Sequence, residues 1–159
     1  VSRNDWLLFL HVFSAFALVA SLVLYKVLIA SLWSRDVPSE AVRLFRLQRV
    51  GDALVAVGSI GVLVFGIWLA IDVEAYHPWD GWIIAALVLW FVMGALGSRT
   101  GRAYNAARDR ARALVAEGSD APSAELRALV QDRRALWLHV TGTVTVAVLL
   151  IDMIFKPGA

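Results

Sequence analysis

Few residues of this chain could do chemistry. They are His11, His77 and His139, with Lys26, Asp52 and Asp152, and all but His77 stand in or beside long apolar runs. An imidazole can ligate haem iron or relay a proton, and an ionisable group at membrane depth is a functional candidate by default. The chain has no cysteine, which excludes disulfides, thiolate catalysis, Fe–S clusters and CxxCH haem attachment. Copper sites favour imidazole and thioether sulfur, and Met93 and Met153 are the only methionines. There are no paired carboxylates, no metal-spaced histidine cluster and no glycine-rich phosphate loop. No residue is therefore assigned a catalytic role, and no metal site is assigned.

What must position these groups is a set of four apolar stretches, residues 6–33, 50–71, 81–98 and 135–155. About 20 helical residues cross a bilayer core of about 30 Å. Backbone in lipid must satisfy its own hydrogen bonds, which leaves helices and closed barrels, and barrel strands alternate and need only about 10 residues. The expectation is an all-α integral membrane protein, an up-down four-helix bundle forming one domain over residues 1–159. Hydrophobic residues make up 60% of the chain and charged ones 18%, below the roughly 25% charged of soluble proteins. Arg3 before the first stretch is reminiscent of a signal peptide. The stretch is longer than an h-region of about 7–15 residues, and no A-x-A-like site follows, so it reads as a retained span.

Charge sets the expected topology. Residues 34–49 hold Arg35, Arg43, Arg46 and Arg49, and residues 99–134 hold eight more arginines. Residues 72–80 hold no basic residue and carry Asp72, Glu74 and Asp80. The positive-inside rule places the first and third loops in the cytoplasm and both termini outside. Trp6, Trp68, Trp79 and Trp82 then mark the outer interface and Trp33 and Trp137 the inner one, with Trp90 left mid-span. Residues 104–115 favour helix, and residues 118–122, Gly-Ser-Asp-Ala-Pro, break it. Spans three and four are expected to extend as helices into the cytoplasm on either side of that break, with Asp120 or Ser123 as the cap.

Glycines and polar residues orient the spans. Gly51, Gly58 and Gly66 share an arc of roughly 80°, with Gly61 at its edge, and Gly97-x-x-x-Gly101 ends span three. Both are expected to be helix-contact faces. His11, Ser14, Ser21 and Tyr25 share an arc of roughly 80° on span one and should face other helices. Asp152 is placed to pair with Lys156 one turn later. His11 and His139 lie roughly 20 Å apart in depth, so they cannot ligate one iron. Lys26, Asp52 and His139 stand at a similar inner depth and could form a polar cluster; alternatively Lys26 snorkels to the headgroups.

These residues resemble a family. Phe9-Leu-His11-Val, Leu24-Tyr-Lys26, Arg43-Leu-Phe-Arg46, Val64-Phe-Gly66-Ile-Trp68-Leu and Phe155-Lys156-Pro157 are similar to stretches of small four-span bacterial membrane proteins. These are the HemJ-type protoporphyrinogen oxidases and the membrane domains of CopD proteins. The resemblance implies a multi-pass protein of the bacterial cytoplasmic membrane, with His11 as a haem b ligand. HemJ proteins carry a His and a Lys early in span three, where this chain has Ile84 and Ala86. That departure implies the oxidase reaction is not performed here.

Two functions are expected to compete. One is a non-catalytic accessory or scaffold subunit of a membrane assembly, partnered by another membrane protein or a second copy of itself in the lipid bilayer. The other is a haem-b-binding protein with a redox or haem-handling role. Nucleic-acid binding has no supporting motif.

Overall fold

A computed structural model describes residues 2–73 and 76–157. Glu74, counted above in the acidic loop, lies outside the described residues. The described residues form helices α1 (Arg3–Trp33), α2 (Pro38–Phe45), α3 (Gln48–Asp72), α4 (Gly81–Ala116), α5 (Ala124–Val130) and α6 (Arg133–Phe155). The fold is an all-α membrane bundle whose four long apolar helices are the spans. The ends are chemically marked. Ser2 and Asp5 form a reciprocal capping box at the start of α1. Gly118, at φ 76°, closes α4 while the Ser119 amide reaches back to the Leu114 carbonyl at 2.9 Å.

At 36 residues, α4 is about 54 Å long, well beyond the roughly 30 Å it needs to cross a bilayer core. The excess is the expected extension of span three. The extension of span four is instead a separate helix: α5 ends at Val130, and Asp132 caps a new helix, α6. The turn between them is fixed by Gln131, whose Nε2 donates to the Trp33 carbonyl at 2.8 Å. A second departure is α2, a helix in the first loop that was not foreseen. Pro38 at its first position is favourable, and its free amide at Ser39 is capped from a distance by Asp120. Ser123, not Asp120, caps α5.

The Asp120 carboxylate accepts from both the Ser39 amide and the Ser39 hydroxyl, each at 2.9 Å. Asp120→Ala is expected to cost about 1 kcal/mol of stability, the usual loss of a helix cap. Amide hydrogen exchange should show the Ser39 amide opening faster in the variant; unchanged protection there would refute the cap.

Packing is uneven. α1 pairs along its length with α3, and α4 with α6, while α3 and α4 make little contact. The two pairs are locked together at the arginine-rich end. There α2, the far half of α4 and α5 enclose the largest hydrophobic core, in which Leu32, Ala41, Ala107, Ala111 and Leu126 are fully buried and Phe45 nearly so. The alanines let the short helices approach α4 closely. Polar ties bridge distant segments of this head: Arg127 pairs with Asp36, and Arg110 with Glu125 at 2.8 Å. At the opposite end Arg3 pairs with Asp72, and the Lys156 ammonium donates to the Tyr76 hydroxyl. The start of α1 is thereby tied to the last residue of α3, and the end of α6 to the segment before α4.

Along the spans, large apolar side chains such as Phe16, Ile60, Phe91 and Ile154 are 62–70% exposed, as lipid-facing surfaces must be. Trp6, Trp79 and Trp137 are also exposed, consistent with an interfacial position. Trp82 is not a belt residue, because it is 6% exposed and packs edge-on against Tyr76. Trp90, mid-span, donates its indole N–H to the Ser59 carbonyl at 3.2 Å and so links α4 to α3.

Candidate functional site

The α1–α3 seam is built from the polar stripe of α1 and the glycines of α3. Ser14 and Ser21 are buried, and each hydroxyl donates back to its own helix, Ser14 to the Leu10 carbonyl at 2.7 Å and Ser21 to Leu18 at 2.6 Å. Opposite them, a Cβ on Gly58 would stand 2.6 Å from the Leu18 backbone nitrogen, and one on Gly61 2.2 Å from Ser14 Oγ. These glycines are contact surfaces, as the sequence indicates. His11 closes the other end of the stripe. Its Nδ1 lies 3.1 Å from the Val62 carbonyl, and its ring packs on Gly66. The stripe thus faces α3, with Tyr25 over Gly51 at the arginine-rich end.

Gly97 and Gly101 behave in the opposite way. A Cβ at either position would meet nothing within 4 Å among the described residues. The expectation of a contact face here is incorrect: these glycines border a void between α3 and α4, which make little contact with each other.

That void is a cavity of about 260 Å³ between the two helix pairs, and all four spans line it. Its polar lining is Tyr25, Gln48, Asp52, Thr100, Tyr104 and His139. The Tyr25 hydroxyl donates to Asp52. Thr100 spends its hydroxyl on the Leu96 carbonyl at 3.0 Å, and Gln48 donates from Nε2 to Asn105 at 2.7 Å. Three residues of this lining each carry a buried atom with no partner among the described residues: Gln48 Oε1, Tyr104 OH and His139 Nε2. Gln48 and Tyr104 are only 3% and 4% exposed, so bulk solvent does not satisfy them. Buried polar groups are nearly always hydrogen-bonded, and three orphans on residues that line one space mark a place where something else supplies the partner.

Of the polar residues expected to meet at this end, Asp52 and His139 share the cavity. Lys26 is exposed, does not line it, and forms no ion pair among the described residues. Gln48, Thr100 and Tyr104 were not anticipated. They lie beyond the hydropathy boundaries of spans two and three, and only the continuation of α3 and α4 past those boundaries brings them to the site. A smaller apolar cavity of about 50 Å³ lies nearer the chain ends, beside Trp82, Trp90 and Leu149.

Asp152 departs from its expected pairing. The Lys156 side chain turns to Tyr76 and sits 4.4 Å above its ring, while Asp152 is 8% exposed and its Oδ2 has no partner among the described residues. Lys156 takes a left-handed conformation, φ 43°, at the end of α6, which swings its side chain off the helical path toward Asp152. His77 lies in the exposed segment before α4 and stacks on Trp79 at 5.3 Å.

The family described as predicted integral membrane protein (DUF2269) matches residues 5–157 of the chain. No curated protein and no solved structure shows a match.

Proposed function

On the premise that the chain belongs to the DUF2269 family of predicted integral membrane proteins, we propose that it is a non-catalytic accessory or scaffold subunit of a membrane assembly. It sits in the bacterial cytoplasmic membrane with the helical head inside and both termini outside. The observation that carries this reading is the head. The best-buried core of the molecule lies there, where α2, α4 and α5 form a platform braced by side-chain contacts between distant segments. A multi-pass anchor holding such a platform against the membrane surface suits the docking of another subunit.

The orientation is supported by which arginines are paired. Arg35, Arg108, Arg110, Arg112 and Arg127 have carboxylate partners. Arg46, Arg49, Arg99, Arg102, Arg133 and Arg134 are exposed and have no ion pair among the described residues. These six lie where α3, α4 and α6 meet the head, the level at which anionic headgroups of the inner leaflet would neutralise them.

The test is purification at native abundance in mild detergent. The expected result is a complex larger than the chain or its dimer, which dissociates when exposed head residues Arg43 and Arg112 are reversed to Glu. Migration as a lone monomer would overturn the accessory role. A reporter fused at the C-terminal end should appear outside the cell, and a cytoplasmic signal would overturn the orientation.

The second reading is a haem-b protein with His11 as ligand. In its favour, an Nδ1–H bonded to a backbone carbonyl leaves Nε2 as the ligating nitrogen, the arrangement usual for metal-bound histidine. Against it, neither cavity is lined by His11, and its ring fills the seam on Gly66, so a macrocycle would have to part α1 from α3. The visible spectrum decides. This reading requires a Soret band that responds to reductant, vanishes in His11→Ala and survives in His139→Ala. Protein that stays colourless with added haem removes it.

A further inference from the structure

We propose that the cavity between the two helix pairs is a binding site for a hydroxyl-bearing, ring-sized amphiphile drawn from the bilayer. This goes beyond the accessory role and does not depend on it.

Size comes first. A dry cavity of about 150 Å³ accepts benzene, so about 260 Å³ accommodates a ring with substituents or a fused pair of rings. Wall chemistry comes second. Leu22, Val55, Met93 and Leu138 offer an apolar surface, and the Met93 thioether is a favourable neighbour for an aromatic ring. The body of the ligand is therefore apolar.

The head is defined by the atoms left without partners. Gln48 Oε1 can only accept, so the ligand must donate to it. The Asp52 carboxylate accepts from Tyr25 with one oxygen and keeps the other for a second donor. Tyr104 OH and His139 Nε2 can each donate or accept. A hydroxyl donates once and accepts twice, so one such group can give its proton to Gln48 Oε1 and accept from Tyr104 and His139, while the second Asp52 oxygen, on an exposed residue, is left to water or lipid headgroups. A cationic head is less well matched, because Arg108 and Lys26 already place positive charge close to Tyr25 and His139.

Entry is lateral. Asp52, Val55, Ala56 and Gly97 are exposed along the gap where α3 and α4 make little contact. A lipid-soluble molecule can enter there without crossing the head. The glycines support the same conclusion independently. Gly97 and Gly101 cost helix propensity and make no close helix contact among the described residues, yet both line the cavity, where a larger side chain would take up space.

The test uses 2-naphthol, with naphthalene as the same ring system lacking the hydroxyl. The full chain is placed in phosphatidylcholine nanodiscs, with empty nanodiscs to subtract partitioning into lipid. The expected result is saturable binding of 2-naphthol at one site, with naphthalene at least tenfold weaker, the loss of about one hydrogen bond's worth of affinity. Tyr104→Phe should weaken 2-naphthol several-fold and leave naphthalene unchanged. Gly101→Leu should abolish binding while the melting temperature holds or rises, because the new side chain occupies empty space. Gly97→Leu provides the same block from one turn away should Gly101→Leu fail to fold. Binding no greater than to empty nanodiscs would mean a cavity filled by water and overturn the proposal. So would equal binding of the two probes, or full binding in both glycine variants.

Discussion

Gly58→Ala destabilises the protein by about 1–3 kcal/mol, the usual cost of overpacking a closed interface, even though alanine is the better helix former. The added Cβ would stand 2.6 Å from the Leu18 nitrogen and 2.9 Å from the Ser14 carbonyl oxygen. Both are backbone atoms of α1, so no side chain can turn aside, and the two helices must separate along the seam. That separation also loosens Ser14 against Gly61 and His11 against Gly66, since all four contacts share one interface. Gly97→Ala is the matched control. Its Cβ meets nothing within 4 Å, so the change is neutral or stabilises by up to about 1 kcal/mol through helix propensity. Thermal unfolding of both variants in one detergent gives the comparison. Equal melting temperatures for the two would show that the seam is not closed by backbone contact.

Phe45→Ala is expected to have the largest effect of any single change in the head, about 3–5 kcal/mol. The ring is 1% exposed in a core shared with Leu32, Ala111, Leu126 and Val130. Removing it leaves a cavity that stiff helical neighbours cannot refill. The consequence reaches beyond α2, because the head is where the α1–α3 pair and the α4–α6 pair are locked together. Hydrogen exchange should therefore rise in α5 as well as α2, and the melting temperature should fall by several degrees. Unchanged exchange in α5 would show that the head does not act as one packed unit.

The architecture was legible because the bilayer enforces it. Four apolar stretches of sufficient length, interrupted by arginines, admit few arrangements other than four spanning helices. The α3 glycines could be read as a contact face because Gly51, Gly58 and Gly66 recur on one side of the helix, and α1 packs there. The stripe of His11, Ser14, Ser21 and Tyr25 followed from the same 3.6-residue period. These are local, periodic properties, and a helix preserves them wherever it is placed.

Pairing and emptiness are not local. Gly97-x-x-x-Gly101 has the spacing of a contact motif, yet it borders a void, because α4 packs along α6 and makes little contact with α3. Asp152 and Lys156 have the spacing of an ion pair, yet the left-handed turn at Lys156 and the aromatic pair Tyr76–Trp82 draw the ammonium away. The cap on α2 comes from Asp120, 81 residues from the amide at Ser39. The cavity itself required all four spans, together with Gln48 and Tyr104 from beyond the hydropathy boundaries. Hydropathy and periodicity describe one helix and its solvent. Which atoms are left without partners depends on how several helices meet, and that is settled only when the chain is packed.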